Sequence, residues 1–220
     1  MEEYVKGVLK LKKEYSSRLE IVLGLEYDYD SDHPISDEIQ YTIGSVHTLR
    51  QANGEIFKIE NGRDNFIKSI DQYYEGKINR AWEHFFGETV KSSLRKEIDI
   101  IGHFDLIAKY NINNCIFDEC DREYLSYAFD AVDTILEKKP NAIFEVNTGC
   151  MPRAGRASPY PSKQIIERIH TKKGRIILNS DAHRTRDINA QFDSILGQLS
   201  EIGFKSIVRV RDFGFEEISL

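Results

Sequence analysis

The sequence of 220 residues has no long apolar run and little cysteine. No apolar segment approaches the ~18 residues that a membrane-spanning helix requires, so we expect no membrane span. The first 15 residues carry charges throughout and lack the apolar core of a secretory signal peptide. The three cysteines, Cys115, Cys120 and Cys150, are odd in number and irregularly spaced. This pattern is typical of reduced thiols in a cytoplasmic protein rather than of a disulfide framework.

Clusters of basic residues are also missing. Lys and Arg form no block and the net charge is −6, so nucleic acid is not an expected partner. A metal site built on Cys115 and Cys120 is not favoured, because the sequence contains no second pair of cysteines. Internal repeats, low-complexity segments and linkers are absent. With 40% hydrophobic residues, the sequence predicts a single domain over residues 1–220 with a substantial core.

Segments typical of strands alternate with segments typical of helices along the chain. Apolar runs predict strands at 19–29, 41–49, 98–107, 142–149, 175–179 and 206–210, followed by a tail. Amphipathic periodicity predicts helices at 2–15, 64–96, 121–138, 161–172 and 188–202. Such alternation favours an α/β domain built on a parallel sheet or barrel.

Residues that can bind metal follow four of these strands. They are Glu26 in "GLEYDY", His47 in "GSVH", His103 in "GHFD", and Asp181 with His183 in "NSDAH". In an α/β barrel the carboxyl ends of all strands meet at one face, where catalytic groups collect. A lone histidine after a strand is more often an ordinary hydrogen-bonded residue, but recurrence at equivalent positions favours a shared site. Imidazoles and carboxylates together suit Zn²⁺, Mn²⁺ or Fe.

Taken in order, these motifs resemble the histidinol-phosphatase branch of the PHP (polymerase and histidinol phosphatase) metallohydrolases. The resemblance extends from about residue 17 to 190 and includes "IGHFDLI" and "EVNTG" followed by "RAGRASPYPS". It implies a distorted (β/α)7 TIM-like barrel that holds up to three divalent metal ions. It also implies hydrolysis of L-histidinol phosphate to L-histidinol and phosphate, a step of histidine biosynthesis.

By this resemblance, five residues are metal ligands: Glu26, His47, His103, Asp181 and His183. Glu26 and Asp181 would share one ion, and Glu26 would bridge to a second ion held by His47 and His103. Asp181 and His183 are also the expected catalytic residues, one of which would help to protonate the leaving alkoxide.

Two arginines, Arg153 and Arg156, lie in the Gly/Pro/Ser-rich segment "NTGCMPRAGRASPYPS". Without other information they would be interpreted as solvated loop residues, but the match to the family at these positions favours phosphate binding. Guanidinium groups bind phosphate through paired hydrogen bonds. The expected partner is therefore a small phosphomonoester substrate.

The resemblance has one gap. Family members open with a His-x-His motif on the first barrel strand, and nothing in the sequence corresponds to it. We therefore expect an N-terminally truncated domain with an incomplete barrel missing its first strands. This in turn predicts fewer metal ions than in the family, impaired hydrolysis, and self-association through the open barrel edge.

Two alternative functions stay open. One is a PHP phosphoesterase that acts on another phosphate ester. The Arg-x-x-Arg spacing and the "SPYPS" motif favour the histidinol-phosphate branch over this alternative. The other is a catalytically dead remnant with a binding or structural role. The missing His-x-His segment is the feature that favours this second alternative.

Overall fold

Strands and helices alternate in the computed structural model, which describes residues 1–220. The strands are β1 Gly24–Asp28, β2 Tyr41–Ser45, β3 Thr48–Arg50, β4 Ile56–Lys58, β5 Ile100–Ile101, β6 Ile143–Asn147, β7 Arg175–Asn179, β8 Ser206–Arg211 and β9 Gly214–Ser219. The α-helices are α1 Glu2–Tyr15, α2 Arg63–Tyr74, α3 Ile78–Ser93, α4 Arg122–Lys138, α5 Cys150–Ala154, α6 Lys163–Thr171 and α7 Phe192–Ile202. None of these helices has the length and hydropathy needed to cross a membrane.

Seven strands form one sheet in the order β1-β2-β5-β6-β7-β8-β9, while β3 and β4 form a separate hairpin. Neighbouring strands from β1 to β8 are parallel, and only β9 runs antiparallel, against β8. Strands β1 and β9 have one neighbour each, so the sheet has two edges rather than closing on itself. The predicted α/β fold with an incomplete barrel is consistent with this topology.

The two faces of the sheet carry cores of very different size. A cluster of 36 buried residues fills the space between the helices and one face, where the Phe104 and Phe144 ring centroids lie 5.6 Å apart. Alternate positions of the same strands supply a second cluster of four residues on the other face: Ile100, Ile143, Ile177 and Val208. Since successive strand residues point to opposite faces, the helices cover one side of the sheet only, as in a barrel wall.

The structure corrects several predicted boundaries. The predicted strand 98–107 is limited to Ile100–Ile101, because Leu106–Ala108 already form a 3₁₀ turn. The predicted helical region 64–96 is two helices, separated where Glu75 and Gly76 adopt positive φ angles of 56° and 73°. A left-handed residue of this kind ends a helix. The β3–β4 hairpin and β9, which forms from the predicted tail, were not predicted at all.

Strand β1 forms the edge of the sheet nearest the amino terminus. Helix α1 reaches this edge, and the Tyr4 hydroxyl donates a hydrogen bond to the Gly24 carbonyl oxygen at 2.6 Å. Apart from Val5 the helix buries few side chains, and Tyr4, Leu9 and Leu11 are exposed. Self-association through this edge stays a prediction.

The large core predicts a strong effect of removing one of its rings. Phe144 is fully buried, so Phe144→Ala should lower the free energy of unfolding by about 3–5 kcal/mol, measured by chemical denaturation. Phe213→Ala is the matched control, because Phe213 is 83% exposed and its loss should change stability by no more than ~0.5 kcal/mol. Equal effects of the two substitutions would contradict the assignment of this core.

Candidate active site

Three neighbouring strands bring a carboxylate and two imidazoles together. Glu26 lies on β1, His47 follows β2 and His103 follows β5. Oε1 of Glu26 lies 3.0 Å from Nε2 of His103 and 3.2 Å from Nε2 of His47. One ligand atom from each of the three residues lies within 4.8 Å of the other two. The structure thus unites three of the five predicted metal ligands, and we call this group the Glu–His–His cluster.

The next layer of residues orients this cluster. Oδ2 of Asp28 lies 2.7 Å from Nδ1 of His47, so the ring directs Nε2 toward Glu26. Oδ1 of Asp28 is buried and has no hydrogen-bond partner. The Ser45 hydroxyl donates to Oε1 of Glu26 at 2.7 Å. A carboxylate behind a histidine is the usual support of a metal-binding imidazole. Asp28 was not predicted, although it lies two residues after Glu26 and therefore on the same face of β1.

Glu145 is a second residue that the sequence interpretation missed. Its side chain is almost fully buried and accepts hydrogen bonds from the His103 backbone N–H at 2.7 Å and the Asn147 amide at 3.1 Å. The Asn179 amide donates to its other oxygen at 2.9 Å. Glu145 therefore ties together the carboxyl ends of β5, β6 and β7. Its only signal in the sequence is a carboxylate inside an otherwise apolar strand, which is costly without partners.

The Glu–His–His cluster favours positive charge. Burial raises the pKa of Glu26, but hydrogen bonds with His103 and His47 outweigh it and hold this pKa far below its ordinary value. Burial lowers the pKa of His47, and the hydrogen bonds with Asp28 and Glu26 outweigh this effect and raise it to about 10. The carboxylates thus stabilise cationic imidazoles, and they would stabilise a metal ion in the same place.

These residues fit a divalent metal ion. Zinc binds carboxylate oxygen and imidazole nitrogen at about 2.0–2.2 Å, so ligand atoms within 4.8 Å of one another can contact one ion. Both Nε2 atoms already face the carboxylate. The chain therefore contains a group suited to a divalent cation.

Asp181 and His183 line a cavity together with the Glu–His–His cluster. This cavity has a volume of about 440 Å³ and is also lined by Arg153. Oδ2 of Asp181 accepts a hydrogen bond from Nη2 of Arg153 at 2.7 Å, and the Asp181 carbonyl accepts one from Nη1 at 2.9 Å. The His183 side chain is 67% exposed and touches Arg153. Neither residue belongs to the three-residue ligand group.

Gly149 allows the segments that carry Arg153 and Asp181 to meet. A Cβ atom at this position would lie 2.5 Å from the Ser180 carbonyl oxygen and 2.8 Å from Nη2 of Arg153. Any larger residue would therefore push the Arg153 segment away from the turn that carries Asp181. Steric crowding therefore explains why the third position of the "NTG" motif is glycine.

The two predicted phosphate-binding arginines occupy different places. Arg153 lines the cavity with His47, His103 and Asp181. Arg156 does not line it, because its side chain is buried and pairs with Glu119 at 3.0 Å. Sequence spacing could not distinguish the two, since they lie only three positions apart.

Glu60 and Lys109 also line the cavity and were not predicted. Oε2 of Glu60 lies 3.6 Å from Nε2 of His47, and its other oxygen pairs with Lys109. Burial raises the pKa of Glu60, but the contact with Lys109 outweighs it, so the pKa is lowered. Glu60 follows the unpredicted β3–β4 hairpin, which explains why no sequence signal pointed to it.

Comparison with known proteins places this site in context. No protein-family model matches the chain. A probable histidinol-phosphatase of Deinococcus radiodurans is 23% identical over 215 residues, which cover 93% of this chain and 74% of that protein. A Listeria monocytogenes protein assigned as a histidinol phosphatase has a crystal structure with a TM-score of 0.73 and 20% identity, covering 87% of this chain and 74% of its own.

A second solved structure is the histidinol phosphate phosphatase of Lactococcus lactis in complex with zinc, L-histidinol and phosphate. Its TM-score is 0.62 at 16% identity, and the match covers 97% of this chain and 78% of that one. This chain shares its α/β fold with both solved structures, and its Glu–His–His cluster lies at the strand ends of that fold. The chain is thus similar in sequence to histidinol-phosphatases over most of its length and shares its fold with these two solved structures, so the resemblance seen in the motifs is confirmed.

The cluster predicts that metal affinity depends on Asp28 as well as on the ligands. His47→Ala should abolish tight Zn²⁺ binding, and Asp28→Asn should weaken it by about 10–100-fold, because the ring of His47 loses its support. Competition with a chromophoric chelator measures both effects. His33→Ala is the control and should bind zinc unchanged, because His33 is not part of the ligand group. Wild-type affinity in both His47→Ala and Asp28→Asn would rule out this cluster as the metal site.

Proposed function

We propose that the protein is a metal-dependent phosphomonoester hydrolase that converts L-histidinol phosphate and water to L-histidinol and phosphate. The observation that carries this proposal is that Arg153 lines the same cavity as the Glu–His–His cluster. A phosphate group needs cationic partners on more than one side, and a metal ion and a guanidinium would provide them. The Lactococcus neighbour, solved with zinc, L-histidinol and phosphate, supports this substrate class.

Glu26, His47 and His103 would hold the metal ion. When bound, a divalent ion of the Zn, Mn or Fe type supplies a water of lowered pKa and polarises the phosphoryl oxygens. Asp28 keeps the ring of His47 turned toward Glu26, and Glu145 fixes the backbone at His103. These supports hold the ligands in place before the ion arrives, which reduces the reorganisation that binding requires.

Arg153 would bind the phosphate in the same cavity. Its guanidinium already donates two hydrogen bonds to Asp181, which hold its plane in the cavity wall. Its remaining N–H groups are donors for phosphate oxygens. Asp181 and His183 lie beside Arg153 and are the proposed catalytic residues, with one of them protonating the leaving alkoxide.

The proposal also covers the number of metal ions that the protein binds and its location in the cell. The structure contains one group of ligands suited to a metal ion, so we propose one tightly bound ion per chain rather than the three of the family. A biosynthetic phosphatase of this type would work in the cytoplasm on a small molecule. All three cysteines are free thiols, in keeping with that location.

Hydrolysis of L-histidinol phosphate tests the proposal directly. Phosphate release in the presence of Zn²⁺ or Mn²⁺ should be measurable but slow, because a single ion activates water and holds phosphate less well than two. Arg153→Ala should lower kcat/KM by about 100-fold with unchanged zinc content, since it removes a phosphate contact and no ligand.

Two controls sharpen this experiment. Arg63→Ala removes a half-exposed arginine on α2 and should leave kcat/KM unchanged. A panel of phosphomonoesters tests the identity of the substrate. Preference for another ester would contradict the assignment of L-histidinol phosphate as the substrate but would still support a phosphoesterase. Absence of hydrolysis of every ester in the metal-loaded protein would leave the chain as a binding protein.

A further inference from the structure

Arg156 follows helix α5, which carries Arg153. Its side chain is 3% exposed, and Nη1 donates to the Ala108 carbonyl at 2.6 Å. Both terminal nitrogens also donate to Glu119, Nη1 to Oε1 at 3.1 Å and Nη2 to Oε2 at 3.0 Å. The Glu119 side chain is itself 14% exposed. This is a buried bidentate ion pair, the geometry in which an arginine–carboxylate pair is strongest and most directional.

The pair joins two segments that both contribute to the site. Arg156 lies three positions after Arg153, just beyond the end of α5, whereas Ala108 and Glu119 belong to the segment that begins at His103. A second tie runs parallel to the first, because the Ser162 backbone N–H donates to the fully buried carboxylate of Asp105 at 2.9 Å. The phosphate-binding loop is thus attached at two points to the segment that carries a metal ligand.

The base of the loop is also closed. The backbones of Asn147 and Tyr160 exchange hydrogen bonds at 2.6 and 2.9 Å, and the Arg156 guanidinium lies 4.9 Å from the centroid of the Tyr160 ring. Tyr160 lines the cavity, so the packing of Arg156 extends to its wall. Arg153 thus lies in a segment whose two ends are hydrogen-bonded to each other.

We propose that Arg156 is a positioning residue: with Glu119 it fixes the Arg153 guanidinium at the distance from His103 that one phosphate group can bridge. Arg156 does not touch the phosphate and acts only through Arg153. The inference rests on the proposed function, in which Arg153 binds phosphate in the same cavity as the metal ion. Displacement by about 1 Å can cost up to 100-fold in a site that depends on such a distance.

A double-mutant cycle on inorganic phosphate binding to the zinc-loaded protein tests this role. Glu119→Gln keeps the size of the side chain and removes its charge, so it should raise the inhibition constant of phosphate and the KM roughly tenfold. In an Arg153→Ala background, Glu119→Gln should cause no further weakening, because the group it positions is gone. Arg156→Lys retains the charge without the planar fork and should fall between the wild type and Glu119→Gln.

Zinc affinity and thermal unfolding are measured alongside. Asp133→Asn is the matched control, because Asp133 pairs with Arg168 away from the cavity and its loss should leave phosphate binding unchanged. Additive effects of Glu119→Gln and Arg153→Ala, or unchanged phosphate binding in folded Glu119→Gln and Arg156→Lys, would overturn the positioning role. Unchanged phosphate binding in Arg153→Ala alone would instead contradict the proposed function, in which Arg153 binds phosphate. The failure of the proposed function is therefore distinguishable from the failure of the positioning role.

Discussion

One oxygen of Glu26 is the point at which the site comes together. His47, His103 and Ser45 all lie within about hydrogen-bond distance of this atom, at 3.2, 3.0 and 2.7 Å. The contact exists only because β1, β2 and β5 are parallel neighbours whose carboxyl ends fall at the same edge of the sheet. A carboxylate between two imidazoles stabilises positive charge there, whether that charge is a proton or a metal ion.

The rest of the site depends on buried polar contacts that join the strand ends to the loops. Glu145 has three donors from three strands, so its buried charge is compensated. Asp105 and the pair of Arg156 with Glu119 link the adjoining segments, through the Ser162 backbone N–H and the Glu119 carboxylate respectively. Apolar packing between the helices and the sheet supplies stability, and these polar contacts determine where the strand ends and loops lie.

The two arginines of the loop illustrate how such contacts divide roles. Arg153 and Arg156 have the same chemistry, and each pairs with a carboxylate. One pair lines an open cavity, and the other is buried. An exposed guanidinium can exchange a carboxylate partner for a phosphate group, whereas an enclosed one cannot do so without opening the loop. Burial therefore separates a binding role from a positioning role.

The sequence by itself determined the alternation of strands and helices, the α/β class and the Glu–His–His cluster. These follow from apolar periodicity and from residues at strand ends, which are local properties that a parallel sheet brings to one edge. Tertiary structure alone decided the pairing of Glu60 with Lys109, 49 positions apart, and the burial of Arg156 against Glu119, 37 positions away. The tertiary structure also decided that β9 pairs antiparallel with β8 and forms the last strand of the sheet. Contacts of this kind depend on how distant loops pack against one another, so they cannot be predicted from the periodicity of the sequence.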